Sequence, residues 1–114
     1  MSQKISLLTL TVTAAGAVAA CRFIGFGGAQ VAADGAKALG VSNTSALDGD
    51  DLAVDVIGTT VIESGGAIAV GDDIVADSQG RAIVNPAVGG EIVLAQALDV
   101  ASGAGEFIEV LLAR

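Results

Sequence analysis

Leu52-Ala53-Val54-Asp55-Val56-Ile57-Gly58-Thr59-Thr60-Val61-Ile62 alternates from its first residue, with Leu52, Val54 and Val56 on one face and Ala53 and Asp55 on the other. A period of two belongs to a half-buried β-strand, and the β-branched residues that resume after the glycine suit the same state. Gly58 is read as a break, so the run predicts two strands, 52–57 and 59–63. Working outward, similar runs recur over 5–13, 17–24, 37–43, 67–70, 73–76, 81–84, 91–97 and 106–112. Between them stand turn signals: Ser64-Gly65-Gly66, Asp77-Ser78-Gln79-Gly80, and Asn85-Pro86 opening a loop to Gly89-Gly90. Short strands at close intervals predict an all-β fold, a compact sandwich or barrel-like domain of short antiparallel strands. Only Ala95 to Ala101 invites a helix, and Gly103 and Gly105 cut it short. The alanine-rich stretch 14–20 suits helix or strand.

Three acid turns resemble one another. Gly49-Asp50-Asp51-Leu52, Gly71-Asp72-Asp73-Ile74 and Gly105-Glu106-Phe107-Ile108 each set a glycine and an acid before a strand. Their spacings, 22 and then 34 residues, do not make a solenoid.

The N-terminal run from Ile5 to Cys21 is apolar, and Val18-Ala19-Ala20-Cys21 resembles a lipoprotein cleavage site. Leu8-Thr9-Leu10-Thr11-Val12-Thr13 nevertheless alternates strictly, whereas a signal sequence needs a continuous apolar run. Ser6 and three threonines also interrupt any membrane helix before Arg22 ends it. The expectation is an extended N-terminal arm with the first strands over 1–21 and a single β-rich domain over 22–114.

Composition narrows the function. The chain has 114 residues, enough for one domain. Apolar residues make up 53%, yet there are three Phe, no Trp and no Tyr. Small side chains bury little area each, so part of the apolar surface is expected to be covered by partners. Residues 1–33 contain no acid, while residues 34–114 hold all 13 acids against three bases. A body that acidic repels phosphate backbones, and nucleic acid is excluded as a partner.

Chemistry is scarce. There is no histidine, and the single cysteine, Cys21, has no base to activate it. Neither Asp48, Asp50 and Asp51 nor Asp72, Asp73 and Asp77 follow the calcium-loop spacing, so both clusters are read as solvated turns. No phosphate-binding glycine motif occurs. No catalytic, cofactor or metal residues are expected, and the chain is not expected to be an enzyme.

An ordered series then carries a resemblance. It runs through Arg22-Phe23-Ile24-Gly25-Phe26, Gly35-Ala36-Lys37-Ala38-Leu39-Gly40-Val41, Leu52 to Gly58, and Ile68-Ala69-Val70-Gly71-Asp72. It continues with Val75 to Ala82, a strand from Gly90 to Leu98, and Gly105 to Leu112. In that order the chain resembles the capsid cement, or head decoration, proteins of tailed phages, over most of its length from about residue 22. The resemblance implies a β domain on the outer surface of the virion, made in the host cytoplasm. It also implies binding to the major capsid protein, commonly as a homotrimer, with no membrane partner.

Residues 2–13 are expected to add a strand to a capsid subunit, with Leu8, Leu10 and Val12 filling pockets. Arg22 and Phe23 are the next candidate contacts, an aromatic beside an arginine being an anchor composition. The alternative function is a secreted or lipid-anchored bacterial surface β-protein.

Overall fold

Gly58 does not end its strand. The computed structural model describes residues 4–113, and within them one strand runs Asp51–Glu63 without interruption. Gly58 takes a φ of 107°, and a Cβ there would stand 2.3 Å from the Ile5 carbonyl oxygen. The bare glycine lets the chain pass closely where the β1–β4 register slips beside it, at Leu7 and Val56, and the phase of the alternation changes there. Before it, Leu52, Val54 and Val56 face one core cluster. Beyond it, Ile62 faces the other, and the Thr60 hydroxyl donates to Asp55 from the same side of the strand. One strand therefore serves two cores.

The strands in chain order are β1 (Ser6–Thr13), β2 (Phe23–Ile24), β3 (Gly40–Ser42), β4 (Asp51–Glu63), β5 (Asp73–Ala76), β6 (Ala82–Val84), β7 (Ala95–Ala97) and β8 (Phe107–Leu112). All named pairings are antiparallel. The C-terminal half of β4 continues through β8, β7 and β5 to β6. The circuit then closes where Ser64, just past β4, bridges Ala82 of β6 and the Gly65 N–H donates to the Ala82 carbonyl at 2.7 Å. The N-terminal half of β4 carries β1, and also β3 with β2 beyond it. The fold is all-β, and of the two expected arrangements it is barrel-like.

Several expected strands shrink for identifiable reasons. The run 17–24 keeps one bridge, Val18 to Ala46, and then β2, because Cys21 takes a φ of 59° and cannot continue a strand. The run 67–70 keeps a single bridge, Ile68 to Ala101. A turn claims the rest of it, with the Ala69 N–H donating to Asp72 and Gly71 at positive φ. The helix invited at 95–101 is β7 followed by a bend, and no described residue is helical.

The three acid turns share one build. A bridged residue (Ala46, Ile68 or Ala101) precedes each, and the turn's acid accepts an N–H from the residue after the bridge. Each then opens a strand whose first inward residue is core: Leu52, Ile74 or Ile108.

The larger core cluster holds Phe23, Val41, Ile62, Ile74, Ile108 and Val110 among a set of alanines: Ala38, Ala76, Ala82, Ala95, Ala97 and Ala101. This corrects an expectation. A core of small side chains was expected to leave apolar surface for partners to cover, but many of the alanines line the barrel, where short side chains let strands close on one another at interior density.

Candidate interaction surface

Two surfaces and one buried polar cluster stand out, and the cluster explains the first surface. Asp55 is completely buried. On β4 it lies between β3, where it pairs with Val41, and β1, where it pairs with Thr9. A carboxylate without solvent needs donors, and five converge on it. Oδ1 accepts from Thr9 Oγ1 at 2.8 Å, Asn43 Nδ2 at 3.0 Å and Ser6 Oγ at 3.1 Å. Oδ2 accepts from Thr60 Oγ1 at 2.8 Å and pairs with Lys4 Nζ at 2.7 Å. Burial pushes its pKa up. The hydrogen bonds of Lys4, Thr9 and Thr60 and the Lys4 charge outweigh that push, so the carboxyl titrates below the usual aspartate range. Ser6 and Thr9 reach the same carboxylate because register shifts on either side of Leu8 reset the alternation between them.

β1 is thereby fixed along β4. Residues 6–13, expected to lead away from the body, lie against it, while residues 2–3 of the expected arm fall outside the described residues. Ala14 donates its N–H to the Asp50 carbonyl. Main-chain groups alternate sides along an antiparallel strand, so Leu10 and Val12 aim theirs at β4 while Thr9 and Thr11 aim theirs outward. Among the described strands β1 pairs only with β4, and its outer edge is open at Thr9 and Thr11. The three expected contacts separate here. Leu8 is 41% exposed and Leu10 39%, with Ile5 and Leu7 more exposed still. Val12 packs against the second core cluster.

Arg22 and Phe23 do not form a surface anchor. Phe23 is fully buried in the larger core, because its place in β2 opposite Val41 turns the ring inward. Arg22 spends its guanidinium inside the molecule, with Nη2 on Glu63 Oε1 at 3.1 Å and Nη1 on the Gln79 carbonyl at 2.9 Å. Two phenylalanines are exposed, Phe107 of β8 and Phe26, the latter with Lys37 Nζ 5.1 Å from its ring centroid. Phe26 and Lys37, together with Ile92 and Leu94, border a shallow apolar hollow of about 170 Å³. The signal for it was present in Gly25-Phe26-Gly27, since an aromatic between glycines has no strand to bury it.

Cys21 is half-buried. Burial holds its thiol above the ordinary range, and the opposed charges of Lys4, Glu63, Arg22 and Asp55 around it leave that direction unchanged. Among the described residues no three Cys, Asp or Glu side chains gather closely enough to hold a metal ion.

A family described as phage cement protein matches residues 1–112. Among solved structures, the head fiber gp8.5 N base of bacteriophage phi29 is similar at a TM-score of 0.75 and 18% identity, covering 93% of each chain. No curated protein matches. The phi29 likeness is one of fold.

Proposed function

We propose a function from one established premise: the chain belongs to the phage cement protein family. It is thus a structural protein of a phage capsid. In the reading offered here, the outer edge of β1 adds to an exposed sheet edge of the major capsid protein on the outside of the shell. Main-chain groups of Thr9 and Thr11 would supply the pairing, and Leu8 and Leu10 the pockets. Residues 1–21 supply the contact and residues 22–114 the scaffold that holds it.

Copies made in the host cytoplasm would settle on the finished head as homotrimers and bridge neighbouring capsid subunits. Many identical sites then convert weak contacts into firm attachment. The exposed Phe26 and Ile92 beside the hollow are the candidate contacts between copies. The observation that carries the reading is an eight-residue edge strand with exposed leucines and an open outer edge, a feature that proteins otherwise blunt. Removal of residues 1–20 by a signal peptidase would strip β1 from the body and leave Asp55 with only Asn43 and Thr60, which disfavours a secreted or lipid-anchored protein.

Co-sedimentation with emptied phage heads tests it, using Thr11→Pro as the probe. Proline removes an outward N–H and leaves the β1–β4 bonds, as an edge strand tolerates. The wild type is expected to pellet with the heads and the variant to stay in the supernatant. Equal binding by a folded variant would refute strand addition.

A further inference from the structure

We infer that Asp55 is a positioning residue whose buried carboxylate fixes residues 4–9 on the body, so that β1 meets its partner as a preformed edge. The inference rests on β1 being the docking strand, and it goes beyond that reading by saying what holds the strand ready.

Little else holds the first half of β1. Ile5 through Thr11 are exposed, and in the strand only Val12 packs against a core cluster. Backbone pairing to β4 remains, and the Ile5 N–H also donates to Thr59 Oγ1 at 2.8 Å, but a single edge pairing is marginal in water. The Asp55 cluster supplies what is missing. Lys4, Ser6 and Thr9 all belong to the segment being held, and Asn43 and Thr60 belong to the body. Dependence runs both ways: if the segment lifts, a fully desolvated carboxylate loses its ion pair and two hydroxyl donors at once. Lys4 is the ionised group in direct contact, and Cys21 is a titratable neighbour on which the charges of both partners act. A strand held this way loses little conformational freedom on docking, which favours a rigid edge over a tail that folds on contact.

Hydrogen exchange of the full chain tests this without any shell. In Asp55→Ala the β4-bonded amides of Leu10 and Val12 are expected to lose protection by roughly tenfold or more, while those of Ile108 and Val110 in β8 keep theirs. Unchanged β1 protection would overturn the inference. So would an equal loss in β1 and β8, which reports general destabilisation.

If Asp55→Ala does not fold, Lys4→Met and Thr9→Val keep the carboxylate and carry the same readout, each loosening β1 selectively. The same proteins are then sedimented with emptied heads, where variants with a loosened β1 are expected to bind less. Wild-type protein that ignores the heads would remove the proposed function and leave the exchange result standing. Wild-type binding with a loosened β1 and undiminished attachment would instead refute the preformed edge alone.

Discussion

A carboxylate with no solvent persists only on its donors, and Asp55 has five. Its folded pKa lies below the ordinary value, so the stability it contributes is present above about pH 4 and is lost as pH falls through the folded value. Thermal unfolding followed from pH 6 down to pH 2.5 is expected to show an acid limb, which Asp55→Asn flattens. Gly58 is constrained by its backbone and not by charge. Alanine there must hold positive φ and push against the Ile5 carbonyl, so Gly58→Ala is expected to cost about 2 kcal/mol or more in a urea titration. Neither role was legible from alternation. Asp55 occupies the face that a strand pattern assigns to water, and its donors lie up to 51 positions away in sequence. Gly58 announced itself as a departure, but a glycine in a strand gives the same signal whether the chain stops or bulges. Phe23 posed the same difficulty, since nothing local to Arg22-Phe23-Ile24 says which of the two faces the core will take.

Strands are where the sequence was most informative. Period two at 52–56 and β-branched residues at 59–62 identified both halves of β4, and the runs at 73–76 and 106–112 coincide with β5 and β8 to within a residue. The shorter elements were overdrawn because apolar alternation does not reveal where a turn will take over, as at Val70-Gly71-Asp72. Leu8 and Leu10 are exposed, so Leu10→Asp is expected to leave the urea midpoint close to that of the wild type and to abolish pelleting with emptied heads. Thr11→Pro acts on the main chain of the same strand and Leu10→Asp on its side chains. Agreement between them would separate edge pairing from a nonspecific surface effect.

The whole molecule has its two halves joined through β4, so damage to one half is felt in the other. Truncation of residues 1–13 removes Val12 from the second core cluster and three of the donors of Asp55. The shortened chain is expected to unfold at lower urea and to aggregate, measured by circular dichroism and light scattering. Residues 1–21 were expected to form an arm with the first strands, within a first third that is apolar and holds no acid. The reason for that charge pattern is visible in the fold: that third contributes Lys4 and Arg22 to ion pairs with acids of β4. Ring closure through Ser64 and Ala82 has a further effect on assembly. It ties β6 back to the end of β4 at Ala82 and leaves the eight-residue β1 with the longest open edge among the described strands. A copy seated through that strand offers no edge of like length to a later arrival, so a coat built this way would terminate at a single layer instead of thickening into fibres.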